Sequence, residues 1–201
     1  MVTTLRDVTA FILAGGKSMR MGSDKAFVQL NGRTLLERAL ETARAVTPEV
    51  IVVGERSKFS PFASVIDDVF RDRGPLGGIH AALAVTATDL NLILAVDLPF
   101  VEPKFLKYLF GYAQRANGTD ALVILPRAQG GFQPLCAIYR KEFGRAAELA
   151  LKRGENKIDR LFNEVGIIAV NEDEIVAAGF SCNMFRNLNT PDEVKRAEGR
   201  T

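Results

Sequence analysis

The residues best typed for chemistry lie in one stretch, Leu13-Ala14-Gly15-Gly16-Lys17-Ser18-Met19-Arg20-Met21-Gly22-Ser23-Asp24-Lys25, directly after the apolar run Val8-Thr9-Ala10-Phe11-Ile12. Gly15 and Gly16 leave the backbone bare, so peptide N–H groups can lie against an anion with no Cβ in the way. Three cations, Lys17, Arg20 and Lys25, follow within nine residues. Lys25 offers a compact point charge, and Arg20 can clamp oxygens in a planar fork. A strand opening into a glycine-rich cationic loop is suited to holding a polyphosphate. By composition alone the stretch also fits a tight turn with solvated lysines, and Lys17 reads as readily that way.

The spacing excludes two familiar phosphate loops. A Walker A loop places four residues between its first glycine and Gly-Lys-Ser/Thr; counting from Gly15 or Gly16 puts Arg20 or Met21 at the second glycine. The dinucleotide fingerprint needs glycine at its first, third and sixth positions, where Gly15, Lys17 and Arg20 stand here.

Carboxylates supply the complementary chemistry. Asp97 ends the apolar run Leu92-Ile93-Leu94-Ala95-Val96 and precedes Leu98-Pro99-Phe100. Mg²⁺ takes hard oxygens and shares one or two carboxylates with substrate phosphates, so an aspartate at a strand end beside such a loop is a natural ligand. Pro99 would fix the turn that aims it; an Asx-turn opening at Asp97 is the structural alternative. Asp67 and Asp68 follow Val65-Ile66 and stand shortly before Gly74-Pro75-Leu76-Gly77-Gly78. That Gly-Pro-Leu turn starts a helix whose amide end can face a nucleotide, although capping or solvation suits the two acids as well.

Stepping through the periodicities, apolar runs alternate with helical patterns and so place these groups on strand ends. Strands are expected at Val8–Leu13, 50–53, Ser64–Ile66, 92–96, 121–125, 135–139 and 167–170. Helices are expected over 34–45, 76–85, 103 to about 116, 142–152, 157–162 and 191–197. The alternation implies an α/β fold with a mostly parallel sheet and helices on both faces, with an antiparallel portion after about residue 120. In such sheets ligands bind at the carboxyl ends of strands near a switch in strand order, so the first loop, the Asp67-Asp68 pair and Asp97 should meet in one crevice.

Composition narrows the function classes. The 201 residues carry a net charge of +2, too small for general nucleic-acid binding, and fit a single domain. Cys136 and Cys182 form no Cys-x-x-Cys pair and are expected to be buried free thiols rather than a zinc site. His80, the sole histidine, sits in a helical pattern and is expected to pack; no Ser or Cys hydrolase arrangement is present. With no apolar run of membrane-spanning length and no secretory layout at the N-terminus, the expected compartment is the cytoplasm.

The first loop resembles that of the molybdenum cofactor guanylyltransferases, the MobA-like group of nucleotidyltransferases. Their pattern, Leu-Ala-Gly-Gly-x-Ser-x-Arg-Met-Gly-x-Asp-Lys, is filled at every fixed position from Leu13 to Lys25. Gln133-Pro134-Leu135-Cys136-Ala137-Ile138-Tyr139-Arg140 is similar to the family's Pro-Leu-x-Ala-x-Tyr segment near the acceptor. Asn187-Leu188-Asn189-Thr190-Pro191-Asp192-Glu193 is similar to its C-terminal Asn-x-Asn-Thr-Pro segment, and Thr190, Pro191 and Glu193 also spell a capping box with proline at N1.

The resemblance implies a three-layer Rossmann-like nucleotidyltransferase fold. It implies GMP transfer from Mg-GTP to the terminal phosphate of molybdopterin carrying molybdenum, with GTP contacts at Leu13, Ala14, Gly15, Gly16, Lys25, Asp68 and Asp97. Lys25, Arg20 and Asp97 would be catalytic, with Mg²⁺ on Asp97 and the acceptor or its surroundings met by Asn187 and Asn189. Of the two acids before Gly74, spacing favours Asp68 for the nucleotide, with Asp67 close behind. Transient contact with molybdoenzyme apoproteins or their chaperones is a further implied partnership; neither nucleic acid nor membrane is. Rival readings are cytidylyl transfer to the same cofactor, transfer to a sugar or polyol phosphate, and a non-catalytic pterin-cofactor carrier. The Leu-Ala-Gly-Gly tetrad favours guanine, because cytidylyl relatives tend to carry Ala at the first Gly.

Overall fold

The computed structural model describes residues 7–15, 24–67, 70, 73–188 and 191–198. Its elements run β1 (Val8–Leu13), β2 (Gln29–Leu30), β3 (Arg33–Thr34), α1 (Leu35–Arg44), β4 (Glu49–Val53), α2 (Arg56–Phe59), β5 (Ser64–Ile66) and α3 (Pro75–Val85). They continue with β6 (Leu90–Ala95), α4 (Pro103–Arg115), β7 (Ala121–Ala128), β8 (Gly131–Phe132), β9 (Cys136–Arg140), α5 (Phe143–Lys152), α6 (Ile158–Leu161), β10 (Gly166–Asn171), α7 (Glu172–Ala177) and α8 (Pro191–Glu198).

Among the described residues the main sheet follows the order β10-β7-β9-β6-β1-β4-β5, with β8 paired to β7. Strands β5, β4, β1 and β6 are mutually parallel, and β9 runs antiparallel between β6 and β7. This is the antiparallel portion expected after residue 120. From β1 the chain proceeds outward to β4 and β5, then crosses to β6 on the other side of β1. The switch in strand order therefore lies between β1 and β6.

Alternation along β1 divides the core between two faces. Val8, Ala10 and Ile12 join one buried cluster with residues of α1, α4, α7 and α8, whereas Phe11 and Leu13 join another with α3, α5 and α6. The result is the expected three-layer arrangement. Buried on both faces, β1 is an interior strand between β4 and β6, and each fully buried large side chain contributes about 2 kcal/mol by removal from water.

The lower, amino end of the parallel strands is fixed by a polar network. Asn91 of β6 is fully buried; its amide nitrogen donates to the carbonyls of Thr88, Asp89 and Tyr139. Its Oδ1 accepts from the hydroxyl of Thr86, and the hydroxyl of Thr88, 3.2 Å from the same Oδ1, lies 2.9 Å from Thr9 Oγ1 of β1. The site described below occupies the opposite end. Asn91→Ala should leave several buried carbonyls and hydroxyls unpaired and destabilise the fold by about 3 kcal/mol. Denaturant unfolding should register that loss while nucleotide affinity of the folded fraction stays unchanged.

Candidate functional site

The strand register sets the site. Ile66 lies opposite Val53, Val53 opposite Leu13, and Leu13 opposite Ala95, so four parallel strands end in one row. Backbone bonds extend the row beyond the strands: Ala14 N–H donates to Val53 O, Gly54 N–H to Ile66 O, and Val96 N–H to Leu13 O. Gly15, Gly54, Asp67 and Asp97 thus emerge from neighbouring strand ends.

Across the switch point Lys25 Nζ meets Asp97 Oδ2 at 2.5 Å. The two side chains are only 12% and 20% exposed, so the pair stands in a largely desolvated niche. Lys25 opens a 3₁₀ turn, Lys25–Phe27, whose first amide is capped by Asp24 Oδ1 accepting from Ala26 N–H. Ala26 is fully buried, and the Phe27 ring stacks on Phe59 of α2 at 5.7 Å. Asp97 is held from behind, where its carbonyl accepts from the buried Leu188. Its carboxylate crosses to Lys25, which displaces the Asx-turn reading in favour of a side chain aimed into the cleft.

The remaining residues named from sequence fall as follows. Leu13 and Ala14 are buried on the row; Leu13's side chain packs under α3, where a Cβ on Gly78 would come 3.4 Å from it. Ala14's N–H is committed to the sheet, so any ligand contact by this residue comes from its other atoms. Gly15 is exposed at the rim. Asn187 is exposed beside Leu188 and so adjoins the Asp97 turn. Asp67 faces Arg56 at 3.9 Å, a solvated pair of little energetic weight. Gly16, Lys17, Arg20, Asp68, Asn189 and Thr190, with the capping box expected there, lie outside the described residues.

Of the expected thiols, Cys136 is fully buried and its pKa is pushed up to about 12 by desolvation, which leaves it inert. Cys182 departs from expectation: it is half-buried, in a short 3₁₀ turn outside the sheet. Both are free. His80 packs its ring edge-on against Phe70 at 5.0 Å, and Nδ1 makes no hydrogen bond among the described residues. Neither group belongs to the Lys25–Asp97 niche.

Sequence reasoning missed α2, which braces the loop. Lys58 pairs with Asp24 at 3.3 Å and Glu55 at 2.9 Å; hydrogen bonding to Glu55, then Asp24, holds its ammonium above the usual lysine range. Gly54 is a hidden requirement of the same brace, since a Cβ there would lie 2.6 Å from the Phe59 ring. The only sequence signal was a glycine closing an apolar run.

A family model described as the MobA-like NTP transferase domain matches residues 10–169. The molybdenum cofactor guanylyltransferase of Desulfosudis oleivorans is 32% identical over 194 residues, covering 95% of this chain and 94% of its own. The probable molybdenum cofactor guanylyltransferase of Pelotomaculum thermopropionicum is 34% identical over 191 residues, covering 94% and 91%. Among solved structures, molybdopterin-guanine dinucleotide biosynthesis protein A from Archaeoglobus fulgidus superposes with a TM-score of 0.82 at 27% identity, over 96% of this chain and 97% of that one. The chain belongs to the MobA-like NTP transferase family and is a nucleotidyltransferase.

Exposed Gly15 and buried Gly54 differ in what an added side chain would meet. A Cβ on Gly15 would meet Val53 O at 3.8 Å and Gly54 Cα at 3.9 Å, which is ordinary contact, so no neighbour among the described residues forbids a side chain there. Gly15→Ala is expected to change stability by less than about 0.5 kcal/mol yet raise KM for the nucleoside triphosphate. Gly54→Ala must push the Phe59 ring aside and should cost about 1–3 kcal/mol of stability. Thermal melts and steady-state kinetics on both variants check the contrast; equal melting losses would refute it.

Proposed function

We propose that the protein transfers GMP from Mg-GTP to the terminal phosphate of molybdenum-carrying molybdopterin, forming the guanine dinucleotide cofactor and pyrophosphate. The observation that carries this reading is the Lys25–Asp97 pair at the switch point, beside the bare rim at Gly15. The names of the relatives in Desulfosudis and Pelotomaculum support the substrate class.

The acceptor phosphate oxygen is already anionic, so no strong base is needed. It forms a bond to the α-phosphorus of GTP in line while the α–β bridging P–O bond breaks, and the electron pair leaves on pyrophosphate. The chain's contribution is positioning and charge neutralisation. Lys25, Arg20 and the amides of Gly15 and Gly16 hold the triphosphate. Asp68 accepts from the guanine ring N–H and exocyclic amine, as a carboxylate cannot from adenine's ring nitrogen. On the family resemblance, Asn187 and Asn189 would contact the acceptor or its surroundings.

The residues present fit Mg²⁺. Asp97 offers hard carboxylate oxygen at a strand end, and the thiols and the histidine lie elsewhere. Mg²⁺ keeps several waters and shares one or two carboxylates with substrate phosphates, so one strand-end aspartate suits it. Held by Asp97, Mg²⁺ would supply charge neutralisation at the α-phosphate and the attacking oxygen.

Incubation with each of the four NTPs, Mg²⁺ and molybdenum-loaded molybdopterin should yield dinucleotide with GTP; product from CTP alone would overturn the guanine assignment. Asp97→Ala should lower turnover at least ~10²-fold, the scale of losing one key electrostatic group. Near-normal GMP transfer by that variant would exclude Asp97 from the metal role.

A further inference from the structure

The nucleotide side of the cleft is bounded by Gly15, Gly54 and Asp67, at the ends of β1, β4 and β5. An acceptor must therefore approach Asp97 from the other side, where the turn after β6 meets the segment that leads into α8. Arg186 stands there. Its guanidinium lies 4.9 Å over the ring of Phe100, three residues after Asp97. Two residues further on, Leu188 N–H donates to the carbonyl of Asp97. Among the described residues Arg186 meets no carboxylate, unlike Lys25, Lys58, Arg56 and Arg140, which are all paired with acids.

Stacking on an aromatic face leaves the in-plane N–H groups of a guanidinium at its edge, a fork that matches two oxygens of a phosphate. Phe100 and Arg186 are each half-buried, so the fork is held in one place without being neutralised. A cation is also needed at this position. Two anionic substrates must meet beside Asp97, and Lys25 is already engaged with that carboxylate.

We propose that Arg186 binds the phosphate monoester of the acceptor, with Phe100 as the platform that holds its guanidinium beside Asp97. The assignment rests on the reading of the reaction given above and adds to it a residue and the chemical group it receives.

The test separates charge from packing. Arg186→Met keeps length and apolar contact with Phe100 but removes the fork; it should raise KM for molybdopterin ~10–100-fold, the loss expected for a charged hydrogen bond. KM for GTP should stay within about twofold and kcat should change little. Arg186→Lys should restore part of the acceptor affinity. Arg115→Gln removes another aromatic-stacked arginine, at the last residue of α4 over Tyr112, and should leave both KM values unaltered. A fall in kcat with unchanged acceptor KM, or equal effects of Arg186→Met and Arg115→Gln, would overturn the proposal. A second measurement does not depend on the pterin: calorimetric titration of inorganic phosphate into protein saturated with Mg²⁺ and a GTP analogue that cannot be cleaved between the α- and β-phosphates. Phosphate should bind the wild type at least ~10-fold more tightly than Arg186→Met; equal binding rejects the assignment. Absence of product from the wild type with molybdopterin would instead count against the functional reading, leaving the phosphate titration to decide the role of Arg186.

Discussion

Bringing Lys25 Nζ to 2.5 Å from Asp97 Oδ2 requires two segments 72 positions apart to be immobilised at the same place. A pair removed from most of its water does little for stability, because each ion loses hydration that the other only partly replaces. The fold nonetheless fixes both ends. Ala26 anchors the lysine's turn in the core, and Phe59 holds the next ring in the chain. Leu188 and Leu13 fasten the backbone on either side of the aspartate through its carbonyl and the amide of Val96. Such effort around one ion pair makes sense for a site that must present a cation and a carboxylate together to charged ligands.

The strand order makes this juxtaposition possible. With β4 and β6 on the flanks of β1, the loop after β1 and the turn after β6 leave the sheet as neighbours, at the point where the chain, having run outward to β5, crosses back to β6. The four strand ends are level because the parallel ladders are in register at Leu13, Val53, Ile66 and Ala95. A one-residue slip in any ladder would exchange its inward and outward side chains and lose both core clusters. The same hydrophobic alternation that builds the core thus levels the rim of the cleft.

Much of this could be read from the chain itself, for identifiable reasons. The first loop is legible because its chemistry is packed into thirteen consecutive residues, Leu13 to Lys25, and Asp97 because it ends an apolar strand. The long elements follow from periodicity: α1 begins one residue after its cap, Thr34, which accepts from Glu37 N–H while Glu37 returns a bond to Thr34 N–H. The short elements β2, β3, β8, α2 and α7 escape notice because too few residues are present in each to establish a period. Their contributions are long-range. Lys58 reaches Asp24, and Leu188 reaches Asp97, across sequence gaps that no local pattern encodes. Cys182 departs from expectation for a related reason: its short turn lies against α7 and leaves it half-buried.

The chemistry available to the cleft follows from what its walls lack as well as what they hold. Cys136 is sealed in the sheet with a raised pKa, and His80 packs against Phe70 in the layer of α3, so neither can serve as nucleophile or proton acceptor at Asp97. A reaction in which both partners arrive as phosphates needs neither. Its barrier is electrostatic: like charges must be brought together and the leaving pyrophosphate stabilised. Cations held by packing rather than by acids are the most useful for that purpose, since no internal carboxylate competes with the ligand. Arg186, laid over the Phe100 ring, meets this condition and is the cation proposed for the acceptor, while the bare backbone at Gly15 and the ammonium of Lys25 are those proposed for the nucleotide. On that assignment Asp97 divides the cleft into two anion sites, each built from a separate part of the chain.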